Sequence, residues 1–314
     1  MADTPHQMPR CAIVYGSLRS GTTMLRLMLD GHAQMACSGE ADFLFDHLHR
    51  AGGSWRYDRD AMERDFMYIE NPLRISADLD GEAALADMIH QISGGDGVAI
   101  IMLHRHMERV AELLPNVPVI HLNRDPRDIA KSSIGMGWAG NVFFGCDHWV
   151  ETQEGWERYV ASHPSNPVLE MRYEDLVAAP VAELTRLCEF LGLSYEDGLL
   201  AYPAHSTYSE PDATLANQWK RKLSQEELGL IEARLGSLLT SSGYAPSGAP
   251  MAQLGGLRML GLKLQNRLAI WRVLISRYGV LAPVSRGLGR RLGIAALRDF
   301  GTTRINALHR NFIK

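Results

Sequence analysis

Gly16-Ser17-Leu18-Arg19-Ser20-Gly21-Thr22-Thr23 is the stretch that decides how the rest of this chain is interpreted. It follows an apolar run over residues 11–15 that is typical of a buried strand, and it precedes an apolar pattern over residues 22–31 that predicts a helix. Glycines between a strand and a helix let the backbone turn tightly and direct loop N–H groups toward an anion. The stretch therefore predicts a phosphate-binding loop.

The spacing of this loop is that of the nucleotide-binding P-loop, G-x-x-x-x-G-K-[ST], with one replacement. Thr22 stands where that motif has lysine, and the cationic residue Arg19 lies inside the loop instead. Because the lysine contacts the phosphates during γ-phosphoryl transfer, its loss disfavours a P-loop kinase. Binding of a 5′-phosphate remains the predicted role of the loop.

Apolar segments that alternate with helical patterns predict an α/β fold. The strand candidates are mostly Val, Ile and Leu, as expected of a parallel sheet that is covered on both faces. They are residues 11–15, 98–103, 117–123 and 168–171, and the helical patterns include residues 22–31, 107–114, 127–134 and 180–191. We predict a P-loop-type parallel sheet flanked by helices, which binds ligands at the carboxyl ends of its strands.

A change of charge along the chain predicts an α/β domain over residues 1–248 and a basic, helical C-terminal extension over residues 249–314. The first segment has 20 Lys and Arg residues against 35 Asp and Glu residues, and the second has 12 against one, Asp299. The boundary lies in the turn-rich segment 242–250. The acidic domain would repel nucleic acid, so no nucleic-acid partner is expected.

The partner of the basic extension is left open by the sequence. Its charges do not gather on one helical face at 100° per residue. Peripheral contact with a membrane is one interpretation, and contact with the acidic domain or with a second subunit of a homodimer is the alternative. The charged residues concerned are Arg258, Lys263, Arg267, Arg272 and Arg277.

The sequence has no evident N-terminal signal and no run of 18 apolar residues. The four cysteines lack the C-x-x-C spacing of a zinc or redox site, which favours reduced thiols. We therefore expect a cytoplasmic protein, held at the inner membrane surface if the extension contacts lipid.

A second phosphate site is predicted where the strand over residues 117–123 ends. That strand delivers Arg124 at its tip, and the next helix presents Ser132 eight residues later. An arginine and a hydroxyl brought together in this way favour phosphate binding. Two such sites on one sheet suggest a nucleotide that is phosphorylated at both ends. Arg127, in the same motif, is predicted to be a solvated salt-bridge partner.

In order over residues 11–245, the chain resembles the sulfotransferases that use 3′-phosphoadenosine 5′-phosphosulfate (PAPS), especially the tyrosylprotein and bacterial types. The loop from Arg19 to Thr23 is similar to their 5′-phosphosulfate loop, and the segment from Arg124 to Ser132 is similar to their 3′-phosphate motif. Tyr173-Glu174-Asp175-Leu176 and Asn217-Gln218-Trp219-Lys220 resemble later segments of that family.

The resemblance implies transfer of a sulfuryl group from PAPS to an acceptor hydroxyl, with adenosine 3′,5′-bisphosphate (PAP) as the product and without a metal. Arginine and backbone N–H groups would stabilise the charge that develops, with Arg19 foremost. The implied donor-binding residues are Arg19, Ser20, Gly21, Thr22, Thr23, Arg124, Ser132, Tyr173 and Lys220.

The resemblance offers two candidates for the base that takes the acceptor proton. Glu40, in Ser38-Gly39-Glu40, resembles the catalytic glutamate of tyrosylprotein sulfotransferases. His106, in His104-Arg105-His106, lines up with the histidine in the lysine-x-histidine of cytosolic small-molecule sulfotransferases. Here His104 replaces the lysine, so the role of that lysine is unassigned.

The acceptor is not identified by the sequence, because variable loops, expected at residues 40–95 and 136–165, build the acceptor pocket. A membrane-associated lipid or another small molecule is one class of acceptor, and a peptide tyrosine is the alternative. A P-loop kinase and a non-catalytic nucleotide-binding protein are alternatives of other classes.

Overall fold

The computed structural model describes residues 8–309, which form two compact units. The first comprises residues 8–125 and 148–218, and the second comprises residues 126–147 and 219–309. The change in charge at residue 248 lies inside the second unit, so a domain boundary at that position stays a prediction.

Within residues 8–309, the strands all belong to the first unit. They are β1 Cys11–Gly16, β2 Met35–Glu40, β3 Leu48–Ala51, β4 Ser54–Tyr57, β5 Val98–Leu103, β6 Val119–Asn123 and β7 Val168–Arg172. The helices of the described residues are α1 Thr22–Leu29, α2 Phe43–Asp46, α3 Arg59–Met62, α4 Phe66–Glu70, α5 Gly81–Ser93, α6 Met107–Leu113, α7 Pro126–Met136, α8 Val142–Gly145, α9 Asp147–Ser162, α10 Tyr173–Ala178, α11 Pro180–Phe190, α12 Trp219–Lys222, α13 Gln225–Leu235, α14 Leu238–Ser241, α15 Gly256–Tyr278, α16 Leu281–Leu292 and α17 Ala295–His309.

Five parallel strands form the central sheet in the order β2-β5-β1-β6-β7. Successive residues of β1 point to opposite faces, so Ile13 and Tyr15 join one buried cluster while Ala12 and Val14 join the other. Helices α5, α6 and α9 cover the first face, and α1, α10 and α11 cover the second. The predicted α/β parallel sheet flanked by helices is confirmed, and so are the four predicted strands.

Strand β2 was not predicted from the sequence. Its residues, Met35-Ala36-Cys37-Ser38-Gly39-Glu40, include none of the β-branched and aromatic types that favour strands. It lies at the edge of the sheet beside β5, and its register shifts between Cys37 and Glu40. Tertiary pairing with β5 therefore compensates for weak local propensity and carries Glu40 to the carboxyl edge of the sheet.

The second unit is helical in its described residues, and α15 packs along the loop that joins α7 to α8. The amide of Asn141 donates to the carbonyl of Leu262 at 2.9 Å, and the backbone of Gly140 donates to Asn266 at 2.6 Å. Close approaches at Gly289 and Gly301 let α16 and α17 pack together. In residues 8–309 no helix is both long enough and apolar enough to cross a bilayer.

Candidate functional site

The loop Gly16–Thr23 leaves β1 at the carboxyl edge of the sheet and enters α1. Gly21 is the N-cap of α1 with a φ of 98°, and the hydroxyl of Ser20 donates to the carbonyl of Ser17 at 2.6 Å. Ser20 is buried, so its hydroxyl holds the turn from within. Helix geometry leaves the first N–H groups of α1 without an intrahelical acceptor. The loop therefore has the shape that an anion site requires.

Tyr173 explains why position 21 is a glycine. A Cβ atom at Gly21 would lie 2.5 Å from Cδ2 of the Tyr173 ring, which is far inside the contact distance. The positive φ of this residue would also strain any side chain. The buried ring of Tyr173 thus lies against the backbone of the loop.

We expect Gly21→Ala to weaken anion binding at the loop by about tenfold or more, because the new methyl group must displace the Tyr173 ring or the loop itself. Gly94→Ala is the matched control, since Gly94 has a φ of 62° and open space around it. The control bears only the cost of the left-handed conformation, roughly 1–2 kcal/mol of stability. Calorimetric titration and thermal unfolding of both variants measure the difference, and equal effects would contradict the role of the ring.

Arg124 lies at the tip of β6 and reaches the loop. Its guanidinium lies 4.0 Å from the centre of the Tyr173 ring, and its Nη1 donates to the carbonyl of Arg19 at 3.2 Å. The other Nη donates to the carbonyl of Leu215 at 3.0 Å. The structure therefore brings Arg124, Tyr173 and the loop together at one edge of the sheet.

The buried Asn123 and the half-buried Glu174, which were not predicted as site residues, hold the turn after β6. The amide oxygen of Asn123 accepts from the backbone N–H of Arg124 and from Nε1 of Trp149, both at 2.9 Å. Glu174 accepts from the backbone N–H of Asp125 at 3.0 Å. The adjacent positions of Asn123 and Arg124, at the end of a buried strand, are the sequence signal that could have identified this support.

Glu40 and His104 face one another at the same edge of the sheet. Nε2 of His104 lies 3.7 Å from Oε1 of Glu40, while Nδ1 donates to the carbonyl of Gly16 at 2.6 Å. Since a carbonyl only accepts, Nδ1 carries a proton and Nε2 is the atom directed at the carboxylate. His104 is buried whereas Glu40 is exposed. His104 thus links the first residue of the loop to Glu40.

Glu40 and His104 shift each other's pKa because their charges are opposite. The imidazole of His104 lowers the pKa of Glu40 below its ordinary value, against burial, which raises it. Burial lowers the pKa of His104, but the carboxylates of Glu40 and Asp42 and the carbonyl of Gly16 outweigh it and raise that pKa. Glu40 is therefore ionised at neutral pH, as a proton acceptor must be.

The structure surrounds His106 with carboxylates. Nε2 of His106 lies 2.7 Å from Asp46, and Nδ1 lies 3.5 Å from Glu108. Burial lowers the pKa of His106, but these two carboxylates outweigh it and raise that pKa. Both ring nitrogens are thus engaged, which favours a structural role for His106 over that of a base.

The remaining predicted donor contacts lie in the second unit. Ser132 is half-buried on α7, and Lys220 is exposed on α12 with its Nζ 5.5 Å from the Trp219 ring. Their contact with a nucleotide stays a prediction. In residues 8–309 no group of three or more His, Cys, Asp and Glu side chains is arranged to hold a metal, and the expectation that none is needed stays a prediction.

The prediction that Arg127 is a solvated residue is wrong. Arg127 is only 2% exposed and forms an ion pair of 3.2 Å with Glu232, which is itself buried. Its guanidinium lies 3.7 Å from the centre of the Trp219 ring, and Nη1 also donates to the carbonyl of Ala245. Arg127 is therefore a salt-bridge partner as predicted, but in the interior of the second unit.

The loop after β1, an arginine at the tip of β6 and a glutamate at the end of β2 thus lie at the carboxyl edge of a P-loop-type parallel sheet. A model of the Sulfotransferase family matches residues 12–197, which is more than half of the chain. The chain therefore belongs to the sulfotransferase family.

Two relatives match over about two thirds of this chain. It is 26% identical over 218 residues to protein-tyrosine sulfotransferase A of Caenorhabditis elegans, covering 64% of this chain and 54% of that protein. It is 27% identical over 213 residues to an uncharacterized protein of Aquifex aeolicus (strain VF5), covering 63% of this chain and 27% of that protein. The chain thus spans about half or less of the length of these relatives.

Two solved structures share the fold. The sulfotransferase domain from the curacin biosynthetic pathway has a TM-score of 0.57 at 17% identity, over 76% of this chain and 98% of that chain. The sulfotransferase domain from the Synechococcus PCC 7002 olefin synthase has a TM-score of 0.50 at 19% identity, over 74% and 97%.

Proposed function

We propose that this protein transfers a sulfuryl group from PAPS to an acceptor hydroxyl. The observation that carries the proposal is the convergence of the loop Gly16–Thr23, Arg124 and Tyr173 at one edge of the sheet. Membership of the sulfotransferase family supports the transfer of a sulfuryl group. The replacement of the P-loop lysine by Thr22 argues against transfer of a γ-phosphoryl group.

The residues present fit a donor that carries phosphate groups. The left-handed Gly21 and the first N–H groups of α1 would form an anion site, with the positively charged Arg19 in the same loop and Arg124 in contact with that loop. When bound, PAPS supplies the sulfuryl group, and PAP leaves. Arg19 and the backbone N–H groups of the loop would stabilise the negative charge that grows on the leaving oxygens, and Arg124 would hold the 3′-phosphate. Ser132 and Lys220 are proposed as further donor contacts.

We propose Glu40 as the base. Its ionised carboxylate would accept the proton of the acceptor hydroxyl as the oxygen attacks sulfur. The new S–O bond would then form without a positive charge on the attacking oxygen. His104 would act as a positioning residue, because its hydrogen bond to Gly16 fixes the ring that faces Glu40. The carboxylates around His106 make it the weaker candidate.

The acceptor is proposed to be a hydroxyl on a lipid or another small molecule. A peptide tyrosine is the second candidate, and it is favoured by Glu40 and by the name of the relative from Caenorhabditis elegans. Assays of sulfuryl transfer to a simple phenol, an alkyl alcohol and a tyrosine peptide distinguish these classes. Transfer to the peptide alone would favour the second candidate.

The proposed donor is tested by calorimetric titration of PAP, 5′-AMP and ATP without added metal. We expect PAP to bind more tightly than the other two, and we expect Arg124→Ala and Arg19→Ala each to weaken PAP by about tenfold to a hundredfold, since each removes a charge-assisted contact. Arg158→Ala on α9 is the control for loss of a cation from the first unit. A preference for ATP with Mg²⁺, or indifference to the 3′-phosphate, would contradict the proposal.

A further inference from the structure

Helix α15 exposes a stripe of large apolar side chains. Leu257, Leu260, Leu264 and Leu268 are 89%, 64%, 57% and 54% exposed, respectively. Spacings of three and four residues place them on one face of the helix, and Ile275 continues that face. Contiguous exposed apolar surface of this kind marks an interaction site.

Over residues 257–268 the stripe is not the face by which α15 packs in its own unit. Farther along the same side of the helix, Trp271 approaches Gly287 and Tyr278 is buried beside Ala282. Leu262 is buried, Asn266 accepts from Gly140, and Val273 lies against Gly137. These three residues recur on the side of the helix opposite to the leucines. Over residues 257–268, helix α15 therefore has two apolar faces, one used for packing and one exposed.

Basic residues border the stripe on both sides. At 100° per residue, Lys263 and Arg267 lie along one edge, and Arg258 and Arg272 lie along the other. Arg258 pairs with the exposed Glu226, while Lys263, Arg267 and Arg272 have no acidic partner within residues 8–309. The exposed face is thus apolar in the middle and cationic at its borders.

A cationic cleft lies beside this face. A cavity of about 460 Å³ is lined by Arg267 and Trp271 of α15 and by residues of α16 that include Leu288, Arg290 and Arg291. None of its lining residues is acidic. Three arginines with an indole and a leucine suit an anionic phosphate headgroup that carries an apolar tail.

We propose that this face of α15, with the cleft beside it, docks on the surface of a bilayer that contains anionic lipid. The leucines would enter the boundary between headgroups and acyl chains, and the bordering Lys and Arg residues would contact lipid phosphates. A second copy of the chain is the less suitable occupant, because a twofold contact would bring the same cations together. The proposal does not depend on the chemistry proposed for the first unit.

The test uses the full chain and two kinds of vesicle, phosphatidylcholine alone and an equal mixture of phosphatidylcholine and phosphatidylglycerol. We expect sedimentation with the mixed vesicles to be at least about tenfold stronger, since each cation near an anionic surface contributes about fivefold in affinity. Added salt should weaken the binding. Equal binding to both vesicles, or binding to neither, would overturn the proposal.

Two double variants and one control separate the apolar and cationic contributions. Leu264→Glu with Leu268→Glu should abolish binding, and Arg267→Glu with Arg272→Glu should weaken it by about tenfold or more. Val181→Glu changes a comparably exposed residue on α11 of the first unit and should bind as the parent does. Concentration-dependent dimers in light scattering that the leucine variant abolishes would assign the stripe to a second copy and overturn the proposal. Circular dichroism checks the fold of each variant, and PAP titration reports separately on the donor site.

Discussion

Replacing Glu40 by glutamine is expected to lower kcat by a factor of about 10²–10⁴, the usual contribution of a general base. Glutamine keeps the size and hydrogen-bonding reach of the side chain but cannot take the proton from the substrate hydroxyl. Glu40 is exposed at the end of an edge strand, so its loss should leave folding and PAP affinity nearly unchanged. Steady-state transfer assays with a reactive phenolic acceptor measure the change, and calorimetry with PAP supplies the check on folding.

The matched comparison is His106→Gln. His106 is held by Asp46 and Glu108, so we expect this variant to lose stability but to keep kcat within about tenfold of the parent enzyme. The reverse result, with kcat retained in Glu40→Gln and abolished in His106→Gln, would assign the base to the histidine. Loss of PAP binding in Glu40→Gln would instead show that Glu40 supports the donor site.

The pH profile gives a second readout for the same residue. Glu40 acts in its ionised form, and its pKa is lowered chiefly by His104, so activity persists to acid pH and falls only as the pH drops through that lowered pKa. His104→Gln removes this effect, and the pKa of Glu40 should rise. The acid limb of kcat/KM should then move to higher pH. A purely structural role for His104 would lower the rate without moving the limb.

Most strands of the central sheet could be predicted because each is recognisable from its own short stretch of sequence. β1, β5 and β6 are short runs of mostly apolar residues that are buried on both faces, and β7 buries Leu169 and Met171 on one face. Their order in the sheet could not be predicted, because it depends on which strands pair with one another, and the paired strands are far apart in the chain. The loop after β1 could be recognised for the same local reason, since its glycines and its position between strand and helix are adjacent in sequence.

Contacts between distant segments account for what the sequence did not reveal. Nothing near Gly21 indicates that the ring beside it belongs to Tyr173, and nothing near Glu40 indicates an edge strand or a partner at His104. The charged residues of the basic extension do not lie on one face of a helix, so the sequence predicts no docking face there. The structure shows an exposed face made of leucines in α15. The sequence could not reveal it, because only burial distinguishes the packed side of α15 from the exposed side.

Arg127 is the residue for which local sequence was most misleading, and Arg127→Ala is expected to cost about 3–5 kcal/mol of the free energy of unfolding. The substitution leaves the carboxylate of Glu232 buried without its cation, and it removes the guanidinium from the face of Trp219. Oε1 of Glu232, which accepts from Arg127, would then keep the hydrogen bond from the backbone N–H of Ser247, at 2.8 Å. Urea unfolding followed by circular dichroism measures the loss.

Lys131→Ala is the matched control, because Lys131 also lies on α7 and also pairs with a glutamate of α13. That pair, with Glu227 at 3.2 Å, has side chains 45% and 32% exposed and should contribute less than about 1 kcal/mol. The two ion pairs therefore join the same helices at nearly the same length and differ in burial. Arg127→Met combined with Glu232→Leu should recover much of the loss, because replacing a buried pair by apolar residues removes both desolvated charges together. Equal costs for Arg127→Ala and Lys131→Ala would show that burial does not set the value of this pair.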